Sequence, residues 1–275
     1  MVSKTLNNEV EMPMVGLGTF QITGDEAEQA LVNAISVGYT MFDSAAAYHN
    51  SEILGSVLKK NFKNRSEYFL TTKLRNCDQR KGDVREALTS TLRFLNIDYV
   101  DLYLMHWPNP GTYIDCYKQM EVLYKEGLAR AIGVCNFHEH HLENLMQHTE
   151  IVPAVNQFEL HPLLSQKKLV QYCKERNIAI TAYTPFARMH EKLIENPILK
   201  EIAACHNKKV TQIIMRWNLQ NDIIAIPKSS KLENQRDNIN IFDFELSEAE
   251  MKAIDGINEN FRVRHDPDNC DFNHL

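Results

Sequence analysis

The sequence predicts a (β/α)8 barrel, a single domain over residues 1–275 with a β-hairpin closing the amino-terminal end. Three observations support this. Apolar runs alternate with helix-periodic segments along the chain, eight such runs can be found, and 275 residues is close to the usual barrel size of about 250. A strand buried on both faces of a parallel sheet reads as an apolar run, which is what these segments show.

The chain opens with VSKTL, Asn7-Asn8 and EVEMP. This reads as a hairpin ended by Pro13 and Gly16, expected to plug the bottom of the barrel. The candidate strands follow as YTMF, YFLTT, VDLYLM, ARAIGV, PAVNQF, NIAITAY, DIIAIP and a last short run, INIFDF, ending near Asp243. Helical periodicity fills the intervals. Asp83 to Glu86 and Ser247 to Glu250 read as capping boxes, and Ser165 reads as the cap of QKKLVQYCKER. Gly127 is placed to end the helix running through Lys125.

Composition narrows the possible partners. A hydrophobic content of 44% supports a full core, and no linker or low-complexity run divides the chain. The net charge of −6 argues against nucleic acid, which needs a clustered positive field, and Lys208-Lys209 reads as a solvated turn. No stretch is long and apolar enough to span a membrane, and the opening residues lack the apolar core of a secretion signal. A cytoplasmic monomer is expected. The six cysteines lack CxxC spacing and read as reduced, packed thiols without zinc.

Four polar residues stand where apolar runs end: Asp43 and Tyr48 after YTMF, Lys73 after YFLTT, and His106 after VDLYLM. Ionisable groups at strand ends cost desolvation energy unless partners or chemistry hold them. In a parallel barrel the carboxyl ends of the strands share one rim, so the four can converge. An ammonium beside a phenol favours the phenolate, so Lys73 is expected to make Tyr48 a usable acid, with Asp43 keeping Lys73 charged. His106 can donate to a substrate oxygen and polarise it. This set suits a carbonyl about to receive hydride, and since no side chain supplies hydride, a nicotinamide cofactor is implied.

The segments MPMVGLGTF, FDSAAAYHNSEILG, TTKL, YLMHWP, GVCNF, AVNQFELHP, AYTPF, IPKSS and FDFELS, in this order, resemble the aldo-keto reductases over nearly the whole chain. The resemblance implies a (β/α)8 barrel binding extended NADPH. Tyr48 would be its general acid, Asp43 and Lys73 would tune that acid, and His106 would orient the carbonyl. It also implies no Rossmann domain, and Gly16-Leu17-Gly18 indeed lacks the third glycine of a dinucleotide fingerprint. Asn136 and Gln157 match residues that hold the nicotinamide carboxamide, and Tyr183 matches the aromatic that stacks on its ring. Cys135 replaces the family's usual serine, and a thiol is the weaker donor. Lys228 and Ser229 match the start of the segment that in the family grips the adenosine 2′-phosphate, and Ser230 and Arg236 are expected in the same cofactor set. Where many members carry an arginine this chain has Asn234, which narrows the preference for NADPH over NADH. The PLG after the stacking tyrosine is replaced by Pro185-Phe186-Ala187, which alters the loop expected to cross the pyrophosphate.

Phe20, Tyr48 and Trp107 are expected to form an aromatic substrate wall. The short NPGTY loop and the DPDNCDF tail look like the bacterial 2,5-diketogluconate and glyoxal reductase branch, which favours small aldehydes, dicarbonyls or keto sugars. Taken singly, an Asp after a strand is usually a helix cap and a lone Tyr or His is usually core. The set inside matching motifs reads as functional. Two other classes compete with a reductase: a non-catalytic nucleotide-binding regulatory protein of the same fold, and a metal-dependent barrel hydrolase. The run His138-Glu139-His140-His141 is not HExxH and lies after the fourth strand, so no metal is assigned to it. Tyr-x-x-x-Lys occurs nowhere, which closes the short-chain dehydrogenase reading.

Overall fold

The computed structural model describes residues 2–272. A two-stranded antiparallel hairpin, β1 (Ser3–Thr5) and β2 (Glu11–Pro13), precedes an eight-stranded parallel sheet. Its strands are β3 (Leu17–Gly18), β4 (Met41–Asp43), β5 (Phe69–Leu74), β6 (Val100–Met105), β7 (Ala129–Cys135), β8 (Val155–Glu159), β9 (Ala179–Tyr183) and β10 (Ile224–Ala225). They lie side by side in chain order. The sheet curls until its ends meet: Val15 bridges Ala225 in parallel, and Gly18 donates its N–H to the Pro227 carbonyl at 3.1 Å. Closure leaves no exposed edge.

Parallel neighbours need crossovers, and helices supply them. α1 (Ala27–Ser36) joins β3 to β4, and α2 (Ser51–Asn61) joins β4 to β5. α3 (Asn76–Lys81) and α4 (Val84–Leu95) lead to β6, α5 (Tyr113–Lys125) to β7, α6 (Glu139–His148) to β8, and α7 (Lys167–Lys174) to β9. α8 (Glu191–Ile194), α9 (Pro197–His206) and α10 (Val210–Gln220) lead to β10, and α11 (Leu232–Ile239) and α12 (Glu248–Asp255) follow it. In α4 the buried residues Val84, Leu88, Leu92 and Leu95 recur at helical spacing, so one face packs on the barrel. Its Asp83 cap accepts from the Glu86 N–H at 3.3 Å, while Ser247 and Glu250 complete a reciprocal capping box on α12. Gly127, with φ of 81°, follows the end of α5 as expected.

The strand period of two explains how apolar runs hold polar ends. Along β5, Leu70 and Leu74 point to the helices, whereas Phe69, Thr71 and Lys73 point into the barrel. The lower interior is filled by Met12 and Met14 around the hairpin with Met41, Phe69, Leu102, Leu104 and Ile224. The hairpin tip is fixed there as Asn7 and Asn8 donate to the carbonyls of Pro153 and Arg130. Gly133 of β7 lies in this crowded interior, where an added Cβ would come within 2.4 Å of the Val155 carbonyl oxygen.

Three expectations are corrected here. INIFDF is no strand: Ile239 ends α11, buried Ile241 packs in the outer core, and the short β3 takes the place among the eight. With β3 and β10 closing the sheet, no edge remains for it to join. Ser165 does not cap α7: the chain enters the helix through Gln166 in the left-handed region at φ 45°, one residue later, and Ser165 is instead held by its N–H donating to Asn258 Oδ1 at 3.0 Å. The cysteines are all free, but they are not uniformly buried, since Cys205 is exposed.

Candidate active site

At the carboxyl ends of the strands the inward positions change from apolar to polar. Asp43 ends β4, Cys135 ends β7 and Tyr183 ends β9, while Lys73 and Gln157 lie one and two residues before the ends of β5 and β8. His106 follows β6 directly and is held by its N–H to the Leu74 carbonyl at 3.2 Å. After β4 the chain makes a 3₁₀ turn over Ala46–Tyr48, closed by His49 in the left-handed region, and this swings the Tyr48 ring over the barrel mouth.

Lys73 and Asp43 form a buried ion pair in direct contact. Lys73 Nζ also donates to the Ser44 carbonyl at 2.9 Å and lies 3.5 Å from the Tyr48 hydroxyl. The second oxygen of Asp43 accepts from Gln157 Nε2 at 2.7 Å. The Tyr48 ring packs edge-on against His106 and Phe20, with centroids 6.2 and 5.1 Å away. Asn136 stands in the left-handed region at φ 63°, donates to the His106 carbonyl at 3.0 Å and accepts from the Tyr183 hydroxyl at 2.6 Å. Both carboxamide residues are therefore engaged with protein groups as well as facing the cleft.

These contacts set the charges. Burial alone would pull the Lys73 ammonium down, but Asp43 in contact with it holds its pKa above the ordinary lysine range. Tyr48 goes up, not down. Burial raises the phenol most, Lys73 lowers it, and Asp43 offsets part of the lysine's field. Lys73 does act to lower the phenol, as expected, but burial outweighs it, so the net shift of Tyr48 is upward and it is not the acidified phenol expected from the sequence. Burial, reinforced by Lys73 and Arg264, holds His106 down at about 3, so its imidazole is neutral near pH 7. Burial also raises the Cys135 thiol, which stays protonated.

A cleft of about 950 Å³ opens above this group. Phe20, Trp107 and His265 line one part, with His265 packed edge-on to Trp107 at 6.4 Å and the Arg264 guanidinium 5.6 Å over the Phe20 ring. Arg188, Lys200, Lys209 and Lys228 line the cleft with Glu195 and Asp237. Ser229 also lines it, whereas Ser230 does not, and Arg236 points into solvent on α11. Sequence reasoning missed three of these groups. Lys209, read as part of a solvated turn, lies at the cleft and pairs with Asp237 at 2.6 Å. Arg264 and His265 belong to the tail after the last helix, where the basic run RVRH was the one available signal.

A family model described as the aldo/keto reductase family matches residues 14–259. The chain is 45% identical over 268 residues to a Bacillus subtilis protein named glyoxal reductase, across 97% of this chain and 96% of that one. It superposes on an aldo-keto reductase from a deep-sea metagenome library with a TM-score of 0.94 and 40% identity, covering 98% of this chain and all of the other. Against a Bombyx mori aldo-keto reductase solved in complex with NADP the TM-score is 0.89 and the identity 34%, with 97% and 96% covered. With barrel, rim residues and sequence matched over this extent, the chain belongs to the aldo/keto reductase family.

Proposed function

We propose that this protein reduces small aldehydes and dicarbonyls to alcohols with NADPH, Tyr48 donating the proton and His106 holding and polarising the carbonyl oxygen. The observation that carries this reading is the convergence, at one rim, of a protonated phenol, a neutral imidazole and a buried Asp43–Lys73 pair. The cleft's donor set fits a polyanionic dinucleotide, because Arg188 and Lys228 line it in addition to Lys200 and Lys209, which pair with Glu195 and with Glu233 and Asp237. Asn136, Gln157 and Tyr183 would hold the nicotinamide end, and Lys228, Ser229 and Lys209 the phosphate end. When bound, the reduced nicotinamide supplies the hydride that no side chain can.

Neutral His106 retains an N–H to donate, so the carbonyl oxygen is polarised without a second full charge beside Lys73. Tyr48 remains protonated at neutral pH, and the alkoxide forming at the carbonyl is basic enough to take its proton. The resulting phenolate faces the Lys73 ammonium. At about 4 Å and an effective dielectric of about 20, that attraction is roughly 4 kcal/mol. It is far smaller with the neutral phenol, so it favours the transition state over the ground state. Asp43, tied to Lys73 and Gln157, keeps the ammonium in place.

The choice of small substrates rests on the Phe20 and Trp107 walls, on α5 starting as early as Tyr113, and on the name of the Bacillus subtilis relative. The test is loss of reduced-nicotinamide absorbance with NADPH and NADH in parallel, against methylglyoxal, an aromatic aldehyde, a keto sugar and a steroid ketone. Turnover is expected with NADPH and greatest with methylglyoxal. Tight NADPH binding without turnover of any carbonyl would contradict the reading and favour a regulatory protein.

A further inference from the structure

The His138–His141 run gains in three dimensions the carboxylate that it lacks in sequence. The tail after α12 crosses the barrel rim and brings Asp268 to the start of α6. Asp268 Oδ2 lies 2.8 Å from His138 Nδ1, and Oδ1 lies 3.7 Å from His141 Nε2. His140 Nε2 is 3.2 Å from the same Oδ1, at the outer rim of the cluster. One ligand atom from each of His138, His141 and Asp268 can be chosen so that all lie within 4.8 Å of one another. A tetrahedral zinc site needs donors roughly 3.2–3.6 Å apart, so side-chain rotation closes this set, with His141 Nδ1 giving up the His138 N–H and taking the ring proton so that Nε2 can face the ion.

We propose that His138, His141 and Asp268 form a binding site for a divalent transition-metal ion, which fastens the carboxy-terminal tail across the rim of the cleft. Two imidazoles and one carboxylate are a borderline donor set, suited to Zn²⁺, Co²⁺ or Ni²⁺ and not to the all-oxygen preference of Ca²⁺ or Mg²⁺. Three protein ligands leave a further position for water or for His140. The two histidines are mostly covered, with side chains 17% and 14% exposed, while Asp268 at 40% keeps a path open for the ion.

The placement gives the ion a structural consequence. The tail is already tied at its near end, where the N–H groups of Val263 and Arg264 donate to the Glu159 carboxylate at 2.8 and 3.0 Å. Arg264, at that tie, and His265, between it and Asp268, both line the cleft. An ion at the far end would turn a strap held at one anchor into a strap held at two.

The experiment uses the untagged full-length protein and Zn²⁺ alone, in competition with a chromophoric chelator. The wild-type chain should hold a single Zn²⁺ ion, and D268N and H138Q, each removing a direct ligand, should weaken it by more than the roughly tenfold that loss of an outer-shell partner already costs. D268N alters an exposed tail residue, so folding is not at issue. His141 is left intact, because its ring accepts the His138 N–H at the start of α6. Zn²⁺ should also slow backbone hydrogen exchange across residues 263–268 in the wild type and not in D268N. Equal Zn²⁺ affinity of wild type and D268N would overturn the site and assign the ion to thiols such as exposed Cys205. Unchanged exchange of the tail on Zn²⁺ addition would overturn the strap. Neither readout depends on turnover.

Discussion

At the scale of single residues, Tyr48 and His106 differ from their free forms in opposite directions, and both shifts keep them neutral. A neutral donor pair makes a specific prediction for the pH profile. With His106 held at about 3 and Tyr48 raised, neither group titrates between pH 5 and 9, so kcat/KM should show no histidine step near 6.5. Activity should fall only at alkaline pH, as Tyr48 loses its proton. A step near 6.5 that disappears in H106Q would show that the imidazole is charged in the working enzyme. Asp43, Tyr48, Lys73 and His106 were legible in the sequence because each interrupts or follows an apolar run at a strand end. The sign of the Tyr48 shift was not, because it depends first on how deeply the phenol is buried and then on the balance of Lys73 against Asp43. Lys209 and Arg264 were also hidden: one begins a helix, and the other sits in a tail with no periodicity.

Among the elements, the tail and β8 depend on one buried carboxylate. Glu159 ends β8 fully covered, accepts from the N–H groups of Val263 and Arg264, and pairs with buried His161 at 3.0 Å. Glu159→Ala would leave those amides and the imidazole without their acceptor, at a cost of about 3 kcal/mol in stability. Releasing Arg264 and His265 from the cleft should raise KM for the carbonyl more than it lowers kcat, as steady-state kinetics would show. An unchanged KM would mean that the tail does not shape the substrate site. The sequence displayed Glu159 inside AVNQFELHP, yet nothing local indicates that its partners lie in the tail. The same limit explains Ser165 and INIFDF, whose local patterns were sound but were overridden by the left-handed entry into α7 at Gln166 and by barrel closure.

For the whole molecule, the alternation of apolar runs with helices pointed to the barrel through the seven runs that are strands, while the eighth strand, Leu17–Gly18, was too short to read; the hairpin at the barrel's base was readable from Asn7-Asn8 between short extended segments. Two lowered histidines link the folded state to pH. His106 at about 3 and His141 at about 4, the latter through burial and nearby His140, bind protons more weakly in the fold than in the unfolded chain. The unfolded state therefore takes up more protons from about pH 6.5 downward, so stability is fully present above that pH and declines as pH falls toward 4. Each histidine adds a slope of at most about 1.4 kcal/mol per pH unit. Urea unfolding of wild type and H106Q from pH 8 to 5 should show a stability difference that shifts against the wild type on the acid side, and a difference independent of pH would contradict the linkage. The central claim is that this barrel rim reduces carbonyls with Tyr48 as proton donor, and it is tested most directly by Tyr48→Phe, assayed for NADPH binding and for single-turnover reduction of methylglyoxal. The account predicts NADPH affinity close to wild type with the reduction rate lowered by about 10²- to 10⁴-fold. A variant that retains most of its rate would contradict it.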